Sequence, residues 1–186
     1  MTRKILMCMK ERQSFVDYLT QKIPDLELCY DQVRSARDTF ERALSLAGND
    51  QVVIMEDDII LTKDFQKKLE LEISKRPWEV INFFSQRPTD LIKGSRHDSR
   101  FSFNQCFYLP KGMAKGMLEF SSNWWGYTTG EHPTGYDMMM DDYLRENKKQ
   151  HWIVVPSLVN HRSAKSMIDP RRSTKRQSKT FNEEWE

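Results

Sequence analysis

Short apolar runs alternate along the chain with longer segments in which apolar residues recur every three or four positions. The runs predict strands, and the recurrence predicts amphipathic helices. Strands are predicted at residues 5–9, 26–30, 52–55, 80–84, 105–109 and 152–155. Helices are predicted around residues 15–19, 36–47, 64–75, 111–120 and 138–148. Strands that alternate with helices indicate an α/β layer architecture with a mainly parallel, Rossmann-like central sheet and right-handed crossovers.

Three segments lack this periodicity. Residues 85–104 are polar, and residues 121–136 are rich in Trp, Gly and Thr. Long irregular segments in compact domains are usually functional loops or disorder. The segment 169–186 is basic and has few apolar residues, so we expect a tail that orders on binding a ligand. The predicted organisation is a single domain over residues 1–168 and a tail that acts as a lid over the ligand.

Composition limits the classes of protein that fit. A chain of 186 residues and 22.2 kDa is long enough for one domain with a substantial core. Its net charge of +2 argues against a surface wholly committed to a polyanion. The absence of a long apolar run or a signal-peptide core leads us to expect a soluble, cytoplasmic protein. Cys8, Cys29 and Cys106 each lie in an apolar stretch, which predicts buried free thiols.

The third predicted strand ends in three acids, Glu56, Asp57 and Asp58. The carboxyl end of a strand is where an α/β sheet opens its ligand crevice. Adjacent anions repel one another and are costly to desolvate, so the cluster favours a divalent cation such as Mn²⁺ or Mg²⁺. The alternative is a solvated turn or a helix cap, for which Thr62 and Asp64 are also suited. Strand alternation predicts that Glu56 and Asp58 point to one side and Asp57 to the other.

Phosphate recognition has to use other residues than a glycine-rich loop. The chain contains neither a GxxxxGK[ST] motif nor a GxGxxG motif, so nucleotide binding of those types is unsupported. A bound metal and basic side chains are therefore expected to carry any phosphate contacts.

A second group of motifs lies towards the C-terminus: Trp124-Trp125-Gly126, Gly135-Tyr136-Asp137, Asp141-Asp142 and Pro156-Ser157-Leu158-Val159-Asn160-His161. Together with the acidic strand end, this order resembles nucleotide-sugar-dependent glycosyltransferases of the GT-A fold, over about residues 5–161. The resemblance implies a GT-A-like three-layer sandwich. Two features depart from the family pattern: the acidic motif begins with Glu, and the chain is short.

The resemblance also implies roles for individual residues. Glu56, Asp58 and His161 would bind the metal, and Asp141, Asp142 or Asp137 would be the acceptor base. The donor would contact Arg12, Asp31, Asp57, Ser163 and Ser166, and the acceptor would contact Trp124 and Trp125. Each residue also has an ordinary explanation: a satisfied loop histidine for His161, acids that favour the start of a helix, core tryptophans, and surface charge for Arg12 and Asp31.

The function expected from the resemblance is transfer of a sugar from a nucleoside diphosphate sugar, with a UDP-sugar favoured, to an acceptor hydroxyl with inversion. The acceptor is expected to be a saccharide or a hydroxymethylated DNA base, as in some viral enzymes. For DNA, the phosphates would meet Lys93, Arg96, His97 and Arg100. The alternatives are a metal-dependent nuclease and an inactive nucleotide-sugar-binding module. The sugar, the nucleotide and the oligomeric state are left open.

Overall fold

The computed structural model describes residues 2–87, 90, 95–98, 100–124, 136–163 and 176–182. Within these residues the strands are β1 Arg3–Cys8, β2 Leu26–Tyr30, β3 Val52–Glu56, β4 Ile59–Leu61, β5 Val80–Asn82, β6 Arg96–Asp98, β7 Cys106–Leu109, β8 His151–Ile153 and β9 Val159–His161. The helices are α1 Gln13–Lys22, α2 Ala36–Ala47, α3 Phe65–Lys75, α4 Met113–Ser121 and α5 Tyr136–Glu146. The predicted α/β architecture is confirmed.

The main sheet has the strand order β2-β1-β3-β7-β5-β8-β6 within the described residues. β1 runs parallel to both β2 and β3, and β5 runs parallel to β8. β7 is antiparallel to both of its neighbours, and β6 is antiparallel to β8. The sheet is therefore mixed. Because β3 and β5 are both antiparallel to β7, they point the same way, and the carboxyl ends of β1, β2, β3, β5 and β8 share one edge.

Alternate residues of the central strands enter two separate cores. On β3, Val52 and Ile54 pack into one core, whereas Val53 and Met55 pack into the other. The first core is covered by α2, α4 and α5. The second is covered by α1, α3 and the antiparallel pair of strands β4 and β9. Strands buried on both faces read as continuous apolar runs, which is why these runs stood out in the sequence. The result is a three-layer sandwich.

Local signals set several element boundaries as predicted. α2 begins after Ser35, whose hydroxyl accepts a hydrogen bond from the Asp38 N–H, and it ends at Gly48. Gly48 has a φ of 59°, a left-handed conformation that glycine adopts without a Cβ clash. The three cysteines are buried and free, which confirms that prediction. Burial also raises the pKa of the Cys8 thiol to about 12.

The main differences from the predictions lie in the short strands. The expected last strand at 152–155 is His151–Ile153, and it is followed by a further strand, β9, over the Val-x-His part of the C-terminal motif. The irregular stretch 85–104 contains the short edge strand β6. β6 reads Arg-His-Asp and β9 reads Val-Asn-His, so neither carries an apolar run, and pairing with β8 and β4 defines them as strands. In the described parts of the chain, no helix is long and apolar enough to cross a membrane.

Candidate functional site

The acidic cluster lies at the carboxyl edge of the sheet, where β3 ends. β3 stops at Glu56, and Asp57 and Asp58 form the turn that leads into β4. The expectation that Glu56 and Asp58 alternate with Asp57 as on a strand is therefore wrong, because the extended backbone ends one residue earlier. The turn instead lets the two aspartates meet the same cation.

That cation is the guanidinium of Arg12. Its Nη1 donates hydrogen bonds to Asp57 Oδ1 at 2.7 Å and to Asp58 Oδ2 at 2.9 Å. A 3-10 turn over Lys10–Arg12, directly after β1, places the arginine there. The backbone N–H of Met9 donates to Asp57 Oδ2 at 2.9 Å. Burial opposes the charge on Arg12, but the two aspartates outweigh it and raise the arginine pKa, so the cluster holds a fixed positive charge.

His161 meets the same cluster from a distant part of the sequence. The antiparallel pairing of β4 with β9 sets His161 opposite Ile59, and its Nε2 lies 3.2 Å from Asp58 Oδ2. The Arg162 backbone N–H also donates to the Asp58 carbonyl oxygen at 2.7 Å. Burial raises the pKa of Asp58, but His161 and Arg12 outweigh that effect, so the net pKa is lowered. Asp58 is therefore the ionised centre of the site.

The hydrogen bonding of His161 resembles that of a metal ligand. Its side chain is fully buried, and its Nδ1 lies 2.5 Å from the Arg162 carbonyl oxygen. A carbonyl only accepts, so Nδ1 carries a hydrogen, and Nε2 is the ring nitrogen that faces Asp58. Metal-binding histidines commonly donate their other N–H to a carbonyl in this way. At Nε2, either a bound proton or a metal ion would join the imidazole to the carboxylate of Asp58.

Two buried atoms support the fit of a cation. Asp58 Oδ1 and His161 Nε2 are both buried without a hydrogen-bond partner among the described residues. Within the same residues, no group of three or more His, Cys, Asp or Glu side chains is already spaced to hold a metal ion. The chain thus offers an Asp and His pair rather than a closed cage, as suits an ion that takes its remaining ligands from phosphate oxygens and water.

Glu56 completes the acidic edge of the site. The hydroxyl of Tyr136, the first residue of α5, donates to Glu56 Oε1 at 2.8 Å. Burial and the nearby charge of Asp58 raise the pKa of Glu56 to about 7. Tyr136 itself stacks on Phe40 with ring centroids 4.4 Å apart, which anchors α5 against α2. Glu56 therefore accepts a hydrogen bond from a tyrosine whose ring is fixed by stacking on Phe40.

The three candidate bases on α5 occupy different surroundings. α5 begins at Tyr136, so only Asp137 lies in its first turn. Asp141 accepts a hydrogen bond from the Phe101 N–H at 2.6 Å. Asp142 accepts one from Trp124 Nε1 at 2.9 Å and forms an ion pair with Arg145. Asp141 and Asp142 thus tie α5 to neighbouring segments, whereas Asp137 lies beside Tyr136 and its Oδ1 accepts a bond from the Met138 N–H.

The remaining predicted residues lie around this centre or outside the described parts of the chain. Trp124 is half-buried and lies against Arg37, with the guanidinium 5.2 Å from its ring centroid. Asp31 follows β2, and its Oδ1 accepts hydrogen bonds from the N–H groups of residues 33 and 34. Trp125 and Ser166 lie outside the described residues.

The described part of the tail, residues 176–182, docks beside β9. Ser178 N–H donates to Asn160 Oδ1 at 2.8 Å, and its hydroxyl bonds to Ser157 Oγ at 2.8 Å. Gln177 Nε2 donates a hydrogen bond at 3.1 Å to Oγ of Ser163, a residue predicted to contact the nucleotide sugar. Arg176 is close enough to lower the pKa of Glu56. The basic tail therefore returns to the edge of the sheet that carries the acids.

Two residues at the site escaped sequence reasoning. Tyr136 holds Glu56, and Arg162 lies over the rings of Phe15 and Tyr18 at 4.8 and 4.6 Å. Tyr136 stands inside the Gly135-Tyr136-Asp137 motif and Arg162 directly follows His161, but neither was assigned a role from the sequence. Their partners are more than seventy residues away along the chain, so no local pattern identifies the contacts.

Comparison with known proteins gives structural matches only. No family model matches the chain. No curated protein matches its sequence either. An apo UDP-glucose pyrophosphorylase shares the fold at a TM-score of 0.50 and 10% identity, covering 82% of this chain and 72% of that one.

Two further solved structures align with lower scores. A197 from STIV aligns at a TM-score of 0.49 and 13% identity, covering 94% of this chain and 92% of that one. A Bacillus anthracis protein assigned as a glucose-1-phosphate thymidylyltransferase, in complex with sucrose, aligns at 0.44 and 11%, covering 80% and 68%. At such identities the shared feature is the α/β fold.

Proposed function

We propose that the protein transfers a sugar from a nucleoside diphosphate sugar to an acceptor hydroxyl at the carboxyl edge of β3. The observation that carries the proposal is the buried contact of 3.2 Å between His161 Nε2 and Asp58 Oδ2. It joins an acidic strand end to an imidazole about a hundred residues later, as the GT-A resemblance requires. The fold shared with UDP-glucose pyrophosphorylase supports a nucleotide sugar as the ligand.

Asp58 and His161 are the proposed metal ligands, with Glu56 beside them. Arg12 bonds to Oδ2 of Asp58, and the buried Oδ1 has no hydrogen-bond partner among the described residues. Arg12 thus orients the carboxylate and leaves one oxygen for Mn²⁺ or Mg²⁺. When bound, the ion supplies Lewis-acid neutralisation of charge on the departing diphosphate. Glu56, the third predicted ligand, stands at the end of the same strand, and its Oε1 accepts a hydrogen bond from Tyr136.

Asp137 is the proposed acceptor base. It lies in the first turn of α5, next to Tyr136, whose hydroxyl touches Glu56. Asp141 and Asp142 are engaged with Phe101, Trp124 and Arg145. In the proposed step, Asp137 takes the acceptor proton as the acceptor oxygen bonds to the anomeric carbon and the bond to the diphosphate breaks. A single displacement of this kind inverts the configuration.

The tail is proposed to close over the diphosphate. Its residues 176–182 already contact Ser157, Asn160 and Ser163, beside His161. Arg176 brings positive charge towards Glu56. A basic lid at this place would exclude water, which competes with the acceptor for the sugar. Asp31, at the end of β2 on the same edge, remains the proposed contact for the nucleoside.

The acceptor is proposed by class alone, as a hydroxyl of a saccharide or of a hydroxymethylated base. Two of the basic residues predicted to meet DNA are already paired: Arg96 with Asp90 and Asp98, and His97 with Glu79. They are therefore poorly placed as free phosphate ligands, and a nucleic-acid acceptor would need cations elsewhere on the surface.

The test is thermal unfolding with a panel of UDP-, GDP- and dTDP-sugars, with and without Mn²⁺. A ligand present at a hundred times its Kd stabilises the native state by about 2.7 kcal/mol. For a domain of this size that raises Tm by roughly 5–11 °C. We expect a Mn²⁺-dependent rise for at least one nucleotide sugar in the wild type, and its loss in Asp58→Asn and His161→Gln. His97→Gln and Asp50→Asn are the matched controls.

Product analysis separates transfer from the alternatives. Slow hydrolysis of the donor should release the sugar with inverted anomeric configuration, read by NMR. Pyrophosphate release from a sugar 1-phosphate and a nucleoside triphosphate would indicate nucleotidyl transfer, and cleavage of an oligonucleotide would indicate a nuclease. Either result, or equal donor shifts in the variants and the wild type, would overturn the proposal.

A further inference from the structure

The edge of the sheet opposite the acidic cluster carries a cavity that the proposed function does not use. Trp78 and Glu79 precede β5, and Lys148 and Lys149 precede β8. These two strands run parallel, and they run in the same direction as β3. The residues before them therefore lie at the amino ends of the strands. They line a cavity of about 370 Å³ there.

Trp78 is exposed in a way that the core does not explain. It is 80% exposed, although most large apolar side chains of the described chain are buried. An exposed tryptophan beside a cavity offers a flat ring surface for stacking. The indole thus supplies one wall on which a planar ring can lie.

Lys148 and Lys149 supply the charge. Both are exposed, and neither side chain makes a hydrogen bond or ion pair within the residues that the structure describes. Lys148 has a φ of 52°, a left-handed conformation that a lysine adopts at a cost. The acid on the rim, Glu79, is held by His97 at 2.8 Å. Lys148 and Lys149 therefore give the rim of the cavity a positive charge that an anion can neutralise.

We propose that this cavity binds single-stranded nucleic acid, with one base stacked on Trp78 and the adjacent phosphates on Lys148 and Lys149. An aromatic platform beside cations is the combination by which single strands are held without reading their sequence. A volume near the lower end of ligand pockets suits one ring and its phosphate rather than a folded domain. Double-stranded nucleic acid stacks its bases inside the helix, so it would present no free base to Trp78.

The binding site stands apart from the proposed transfer site. It lies at the other edge of the sheet and shares no residue with the Asp58 and His161 cluster. Failure of the sugar-transfer proposal therefore leaves it intact, and its variants should leave donor binding unchanged.

The experiment is fluorescence anisotropy of a labelled twelve-nucleotide oligothymidylate with the full chain at several salt concentrations. Removing a stacking side chain costs about 1–3 kcal/mol per base, so Trp78→Ala should weaken binding at least fivefold. Each phosphate contact on a single strand contributes about 0.7 to the slope of log K against log salt. Lys148→Gln/Lys149→Gln should therefore reduce that slope by about 1.4.

Two controls make the result specific. Lys67→Gln/Lys115→Gln removes the same charge from exposed positions that do not line the cavity, and it should leave the slope nearly unchanged. The far-ultraviolet circular dichroism of each variant checks that it is folded. Undetectable binding at low salt, unaltered affinity in Trp78→Ala, or equal slopes in both double variants would overturn the proposal. If heparin bound more tightly than the oligothymidylate, and equally to wild type and Trp78→Ala, the surface would be a general polyanion site. That result would also overturn the proposal.

Discussion

Two buried histidines of this protein have opposite surroundings. His161 is fully buried, its Nδ1 faces a carbonyl oxygen, and its Nε2 faces the carboxylate of Asp58. His151 is 1% exposed and neither ring nitrogen has a hydrogen-bond partner among the described residues. Its ring lies against Phe101, with centroids 4.9 Å apart. One histidine therefore lies in a charged cluster, and the other behaves as an apolar ring of the core.

The difference shows that burial alone does not identify a functional histidine. Burial lowers the pKa of His151 to about 4; the charge of Asp98 opposes this shift, and those of Arg87 and Arg96 add to it. At neutral pH that ring carries no charge. At His161, by contrast, Nδ1 donates to a carbonyl oxygen and Nε2 faces an ionised carboxylate. The partner, rather than the depth, separates the two roles.

The largest expected effect concerns the partner of His161. Asp58→Ala removes the carboxylate that Arg12 and His161 share and leaves two buried groups without it. Breaking a buried pair from one side costs about 3–5 kcal/mol. Tm should fall by roughly 6–20 °C in thermal unfolding at neutral pH. A fall of less than 2 °C would mean that the buried contacts of Asp58 with Arg12 and His161 stabilise the protein no more than an exposed ion pair does.

The matched control for that change is Asp50→Ala. Asp50 is exposed and lies 3.7 Å from Arg3. An exposed pair contributes at most about 1 kcal/mol, so this variant should change Tm by no more than a few degrees. The contrast between the two aspartates measures what burial adds to the charge cluster.

The next largest effect is the pH dependence of stability that His151 causes. The native pKa of His151 is about 4 against an ordinary 6.5, so between these values the unfolded chain binds a proton that the native chain excludes. Its contribution to stability is complete above pH 6.5 and is lost as pH falls to 4. The loss is roughly 3 kcal/mol, from 2.5 pKa units at 1.36 kcal/mol each.

Urea unfolding of wild type and His151→Leu at pH 7.5, 6, 5 and 4.5 measures this contribution. The variant has no imidazole to titrate, so its stability should fall less steeply over the window. Identical pH profiles would show that His151 takes up a proton as readily in the native chain as in the unfolded chain, and the comparison with His161 would then fail.

The smallest effect concerns the hydroxyl that holds Glu56. Tyr136→Phe keeps the ring stacked on Phe40 and removes the hydrogen bond to Glu56 Oε1. A hydrogen bond to a charged group contributes about 1.5–3 kcal/mol, so at pH 8 we expect a loss near the lower limit. Tyr30→Phe, which loses a long exposed bond of 3.3 Å to Gln13, serves as the control in chemical denaturation. Equal losses in the two variants would show that Tyr136 does not support the site.

Much of the fold was readable in the sequence because buried strands and amphipathic helices leave periodic signals. The apolar run of β3 predicted a core strand, and the acids behind it predicted a charged cluster at the carboxyl edge of the sheet. α2 was predicted at residues 36–47 because its apolar residues recur every three or four positions. The short strands β4, β6 and β9 were missed; β6 and β9 read Arg-His-Asp and Val-Asn-His, so neither carries an apolar run.

The candidate site was readable in part for a related reason. Residue types and their order pointed to Glu56, Asp58 and His161. The partner of Arg12 was not readable, because a 3-10 turn after β1 and the turn after β3 have to meet in space before the ion pair exists. Likewise, Asp142 is one residue from Asp141 in sequence, yet it faces Trp124 rather than Phe101.

The sequence by itself determined which segments are buried, where acids follow a strand, and which thiols are enclosed, because hydrophobic burial is encoded in local periodicity. Only the tertiary structure decided that β9 pairs with β4, and therefore that His161 reaches Asp58 while His151 enters the core. Hydrogen bonds and ion pairs act over about 3 Å. They depend on distant strands being brought together, and no local pattern of residues specifies that.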